Sequence, residues 1–166
     1  RPYLASIQII LNAFRLKPLD RVLPAAAGAG VAIIARVPLA SGLLSGRYDT
    51  TTTFAPDDHR SYNRDGSAFD VGETFSGVDY ETGVAAAKEF SALAAEHVPG
   101  ATPAQAALAW VVQQPGVTTV IPGARNADQA RANAQAASIG PLAPEFLDGV
   151  RRIYDEHFRA SVHPRW

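Results

Sequence analysis

Arg125, Gln129 and Asn133 are the residues whose types and spacing point most directly to ligand chemistry. They lie in the stretch Val117 to Asn133, VTTVIPGARNADQARAN. Gln129 and Asn133 are four apart, so on a helix they share one face. Arg125 stands just ahead of that helix. Asn126 is placed to cap it, and Gln129, three residues on, to complete a capping box. Free N–H groups at a helix start attract anions. A guanidinium beside them, with two amides alongside, suits a phosphate and a nitrogen heterocycle.

The elements that must position these side chains come just before. Val117 to Ile121 is a short β-branched run that reads as a buried strand, and Pro122 and Gly123 stop it. In parallel α/β folds such a junction holds ligands, because the strand's carboxyl end and the helix N–H groups face the same space. Two earlier runs read the same way. Ile7 to Phe14 is the first strand, and its polar residues Gln8 and Asn12 share one face. That face is a barrel interior, or the two are satisfied polar residues at a strand end; the spacing leaves both open. Val31 to Ala35 is the second strand. Arg36 to Gly46 follows as a loop at its carboxyl end, where Gly42 and Gly46 permit close backbone approach.

Helices separate the strands. Leu19 to Ala29 carries Pro24, which predicts a kink or a later start. Tyr80 to His97 is amphipathic and Ala-rich. Thr102 to Gln114 opens with a Thr102–Gln105 capping box and Pro103 at its first position, and its Trp110 reads as core. The helix after Asn126 runs to about Ala137, with Ala130, Ala134 and Ala137 toward the sheet. Residues 144–166 form a charged outer helix, from Pro144 to about Phe158, and a tail. Residues 47–77 form a long irregular loop with Phe54, Tyr62, Phe69 and Phe75 as apolar anchors. Its length predicts a mobile lid over the strand ends. His59 within it reads as an exposed loop histidine without a second ligand at metal spacing.

This order predicts an α/β protein with three parallel strands in βαβ units. Three strands cannot close a barrel, and an eightfold one needs about 250 residues. The chain has 166 residues, 19% of them charged, and a net charge of −1, so nothing electrostatic favours nucleic acid or a membrane surface. Its apolar runs fall short of a membrane span. Cysteine is absent, which excludes disulfides, thiolate catalysis and cysteine–metal sites. No metal site is expected, and no signal peptide is visible, so a cytoplasmic location is expected. Methionine is absent and Arg1 comes first, as expected of part of a longer protein.

Three pieces together, QIILNAF, ARVPLASGLLSG and VIPGARNADQARAN, resemble the C-terminal half of an aldo-keto reductase, closest to bacterial members with a long loop after strand seven. The resemblance implies the C-terminal part of a (β/α)8 TIM barrel, strands six to eight, with the barrel incomplete in this chain. It implies NADP as cofactor and reduction of an aldehyde or ketone by hydride transfer. Gln8 matches the residue that holds the nicotinamide carboxamide. Arg36 stands where many members place an aromatic ring over the nicotinamide; it can stack there or reach the pyrophosphate. Pro38, Leu39, Ala40 and Ser41 match the segment lining the pyrophosphate. Gly123, Ala124 and Arg125 match the turn at the adenosine 2′-phosphate, with Arg125 carrying the charge. Gln129 and Asn133 match positions at the adenine end, and Ala132 departs from a common glutamate.

The family's catalytic Asp, Tyr, Lys and His lie in the N-terminal half. No catalytic role therefore falls on Tyr3, Tyr48, Tyr62, Tyr80, Tyr154 or any histidine here. The partners expected are a small carbonyl substrate and the missing N-terminal half of the barrel. Two other readings stay open: an NADP-binding sensor or regulatory subunit, and an inactive half-barrel.

Overall fold

The computed structural model describes residues 3–165; the expected helix-free opening at Arg1 and Pro2, and the tail end at Trp166, lie outside them. Three strands, β1 (Ser6–Ile10), β2 (Ala32–Arg36) and β3 (Val117–Ile121), form one parallel sheet in the order β1-β2-β3. The helices are α1 (Pro18–Gly28), α2 (His59–Tyr62), α3 (Tyr80–His97), α4 (Pro103–Val112), α5 (Ala127–Gln135), α6 (Pro144–His157) and α7 (Arg159–Val162). The architecture is α/β, a partial and unclosed barrel wall. No described helix is long and apolar enough to cross a membrane.

Helices cover only one face of the sheet. Ile33 and Ala35 are fully buried on that face, with Leu11, Phe14 and Leu23 in the same core. On the other face Gln8 pairs in register with Ile34, and Ile34 with Thr119; Gln8 and Thr119 are exposed. Ile10 pairs with Arg36 and Arg36 with Ile121, which is 47% exposed. β2 therefore alternates between buried and half-buried positions, although its run of apolar residues suits burial on both faces. β3 carries an extra residue: Ile33 pairs with Val117 and Ile34 with Thr119. The Oγ1 of the intervening Thr118 accepts a bond from the Ile33 N–H at 3.1 Å.

The first strand is shorter than its sequence suggests. It ends at Ile10, because Asn12 turns the chain: its Oδ1 accepts from Phe14 N–H and its carbonyl from Arg15 N–H, both at 2.9 Å. Leu11, Ala13 and Phe14 are buried as a plug beyond the strand. Asn12 therefore does not share a strand face with Gln8. The second strand sits one residue later than expected and includes Arg36. α1 begins at Pro18 and runs through Pro24, whose exposed ring forfeits one backbone bond.

α3 and β3 have the predicted bounds, Trp110 is buried, and the Thr102–Gln105 capping box is formed. α4 stops two residues early, at Val112. α5 differs more. Ala130, Ala134 and Ala137 are exposed, and the helix instead leans on α4 through Ala132, whose carbonyl accepts from Gln105 Nε2 at 3.1 Å. α5 follows the last strand, at the open edge of the sheet, and none of the described residues covers its alanine stripe. The tail beyond α6 is helical in α7, and Val162 is buried.

Candidate functional site

The carboxyl ends of β2 and β3 are neighbours, since Arg36 pairs with Ile121. Beyond β2 the backbone takes an unusual path. Val37, Ala40 and Ser41 have φ of 53°, 47° and 56°. A left-handed conformation is strained for any side chain and most for a β-branched one, at about 1–3 kcal/mol per residue. Asn12 Nδ2 donates to Val37 O at 2.9 Å and holds it in that state. Gly42, at φ 102°, has no room for a side chain: an added Cβ would lie 2.6 Å from the Tyr48 hydroxyl oxygen. Pro38 is buried, and Leu39 and Ser41 are half-buried.

Residues 47–77 lie over this segment. Ser41 Oγ accepts the Phe75 N–H at 3.0 Å, and Asn12 Nδ2 also donates to Ser76 Oγ at 2.7 Å. Phe75 and Ser76 are themselves left-handed, at φ 50° and 59°. The loop has its own buried post, Asn63. Its Oδ1 accepts from the N–H groups of Ala68 and Phe69, and its Nδ2 donates to Asp70 O and Thr74 Oγ1. His59 is half-buried and meets Thr74 Oγ1 through Nδ1 at 3.1 Å, so it is not a free loop histidine. The loop's polar composition suggests irregularity, but these internal bonds give it a defined shape.

A cleft of about 450 Å³ lies between the loop and the strand end, lined by Arg36, Val37, Ser41, His59, Phe69 and Glu73. Arg36 and Glu73 form a two-pronged ion pair across it, Nη1 to Oε1 at 2.8 Å and Nη2 to Oε2 at 2.7 Å. The bond from Arg36 pulls the Glu73 carboxyl below its usual range, and Glu73 raises the already high Arg36 value. The guanidinium expected over a nicotinamide or a pyrophosphate is thus held by a carboxylate. The nearby Asp58 carboxyl is lowered further, chiefly by its hydrogen bonds from Arg60.

At the end of β3 the predicted polar residues gather around one turn. Asn126 Oδ1 accepts from Gln129 N–H at 2.9 Å and caps α5. The box is only half formed, because Gln129 Oε1 accepts from Arg125 N–H at 2.8 Å instead of from Asn126 N–H. Asn133 Nδ2 donates to Gly123 O at 3.1 Å. The two amides thus brace the turn Gly123–Arg125. A Cβ at Gly123 would meet open space. The Arg125 side chain is exposed and has no hydrogen bond or ion pair among the described residues. Asp128, the carboxylate nearest in sequence, pairs with Arg131 at 2.7 Å. Gln8 projects from the open face, two residues before the Ile10–Arg36–Ile121 row.

The structure therefore brings Arg36, Pro38, Leu39 and Ser41 into one segment and Gly123, Arg125, Gln129 and Asn133 into another at the same sheet edge. Glu73, Ser76 and Asn63 leave no signal in the sequence, whereas Asn12 is the satisfied polar residue at a strand end that one of the two readings allows. No local spacing links Glu73 to Arg36 or Ser76 to Asn12.

Three parallel strands with their helices, unclosed and with polar groups gathered at the carboxyl edge, match a segment of a (β/α) barrel. The chain belongs to the aldo/keto reductase family, whose model matches residues 2–155. It is 31% identical over 156 residues to an aldo-keto reductase of Strobilurus tenacellus, covering 92% of this chain and 43% of that protein. It is 29% identical to a probable voltage-gated potassium channel subunit beta of Arabidopsis thaliana, covering 79% of this chain and 38% of that protein. Among solved structures it is similar to a glycerol dehydrogenase of Gluconobacter oxydans, with a TM-score of 0.73 and 29% identity over 92% of this chain and 42% of that one. An aldo-keto reductase of Bacillus halodurans shares the fold at a TM-score of 0.64 and 19% identity, over 97% of this chain and 46% of that one. The chain thus spans less than half the length of the relatives it matches.

Proposed function

We propose that this chain forms the cofactor-binding part of an NADP-dependent oxidoreductase that reduces aldehydes or ketones. The observation that carries the reading is Arg125. Its side chain has no hydrogen bond or ion pair among the described residues, and it stands beside the α5 N-terminus on a turn braced by Gln129 and Asn133. A phosphate ester fits there: helix N–H groups favour an anion, a guanidinium offers paired donors, and Gly123 leaves room. The reduced form, NADPH, would supply the hydride and leave as NADP. Arg125 would take its 2′-phosphate, and Gln129 and Asn133 would flank the adenosine. Pro38, Leu39 and Ser41 would line the pyrophosphate, with the Ser41 hydroxyl proton still available as a donor. Gln8 would hold the nicotinamide carboxamide. Arg36 would stay beside the nicotinamide end, fixed by Glu73.

Acid catalysis would come from strands beyond this chain, where the family resemblance places the Asp, Tyr, Lys and His. The similarity to a glycerol dehydrogenase makes small hydroxy-aldehydes and hydroxy-ketones the first substrates to test. A cytoplasmic location belongs to the same reading. The test is titration of the intact protein with NADPH, followed by carbonyl-dependent loss of NADPH absorbance. Binding with turnover supports the reductase. The channel-subunit relative favours one second reading, an NADP-binding regulatory subunit, which predicts binding without turnover. Binding of neither NADPH nor NADH refutes both.

A further inference from the structure

We propose that Asn12 is a positioning residue for the rim: its side-chain amide holds Val37 and Ser76 in left-handed backbone, and so sets the shape of Val37–Gly42 and its junction with residues 47–77. The proposal goes beyond the NADP reading, and only its affinity arm rests on that reading.

Asn12 is completely buried and every side-chain bonding group it has is used. Oδ1 accepts from Phe14 N–H, which fixes its own turn. The two Nδ2 protons go to Val37 O, 25 residues away, and Ser76 Oγ, 64 residues away. Both targets sit in strained backbone, and so do their neighbours Phe75, Ala40 and Ser41. These five are the positive-φ non-glycine residues among the described ones, and all lie at this junction. Val37 O also accepts the Ala40 N–H at 3.1 Å, so the carbonyl that Asn12 fixes anchors the next turn. A valine keeps such a φ only where its surroundings over-determine it. Asn12 supplies that constraint at the carbonyl and donates to both segments at once.

Asn12→Asp tests this. It keeps the shape and the Oδ1 acceptor but replaces both donors with a carboxylate oxygen that faces Val37 O. Amide hydrogen exchange at Ala40, Gly42 and Phe75 is expected to rise about 10-fold, the factor of roughly one lost hydrogen bond. NADP and NAD affinities are expected to fall together by a similar factor, because the affected segment would meet the part common to both. A second change, Val37→Gly in the Asn12→Asp protein, is expected to restore both readouts, because glycine takes a φ of 53° unaided. A stability control, Leu23→Ala in α1, is expected to lower Tm without raising exchange selectively at these amides. Rim exchange in Asn12→Asp no higher than in the control overturns the proposal, as does failure of Val37→Gly to rescue. Should Asn12→Asp not fold, the double variant carries the test: folding and rim protection restored by glycine support the role, and their absence overturns it. Should the wild type bind neither dinucleotide, the NADP reading fails while the exchange arm still decides the role of Asn12.

Discussion

Replacing Arg125 by alanine is expected to separate NADP from NAD. The side chain has no bond or ion pair within the described chain, and Asp128 is already held by Arg131. Removing it therefore breaks no described contact, and stability is expected to change by no more than about 0.5 kcal/mol. A hydrogen bond to a charged group contributes about 1.5–3 kcal/mol. Arg125 is exposed, and solvent screens exposed pairs, so the lower end applies. About 1.5 kcal/mol is a factor of about 10 in Kd. NADP affinity is expected to drop by that factor, and NAD affinity, which has no such phosphate to lose, to stay where it was. The assay is titration of both dinucleotides against the intact wild type and Arg125→Ala. Raised salt is expected to shrink the NADP preference of the wild type. Equal loss for both dinucleotides, or no loss for either, refutes the phosphate role.

Three further outcomes follow from the geometry. The Glu73 carboxyl is lowered by its bonds from Arg36, and Asp58 by its bonds from Arg60. A depressed folded-state value means that the stabilisation is present above the unfolded carboxylate range, about pH 4, and is lost as pH falls through the folded values. Protease cutting within residues 47–77 is therefore expected to rise on acidification below about pH 4 while cutting elsewhere lags; uniform cutting would contradict the anchoring. Glu73→Gln is expected to reproduce that loosening at neutral pH, by about 0–1 kcal/mol, because the pair is only partly buried. Thr102→Ala removes the hydroxyl that accepts the Gln105 N–H, while the residue-102 N–H keeps its bond to Gln105 Oε1; it is expected to cost about 1 kcal/mol, or about 2–4 °C in Tm, measured by thermal denaturation.

The parts whose physics is local are legible in the residues themselves. The bounds of β3 and α3, the caps at Thr102 and Asn126, and the parallel order of strand and helix all rest on residues within a few positions of one another. A β-branched run stopped by Pro122 and Gly123 has few alternatives, and a Thr-Pro-x-Gln start to a helix has fewer. The grouping of Arg125, Gln129 and Asn133 followed from the same local periodicity. Only the tertiary structure decided what lies far apart in the chain. Arg36 meets Glu73 across 37 residues, and Asn12 meets Ser76 across 64. Neither bond leaves a pattern in the sequence, because it depends on how the long loop packs over the strand ends. The same holds for the alanines of α5. Their spacing suits burial, but burial needs an opposing surface, and at the open edge of a three-stranded sheet none is present among the described residues.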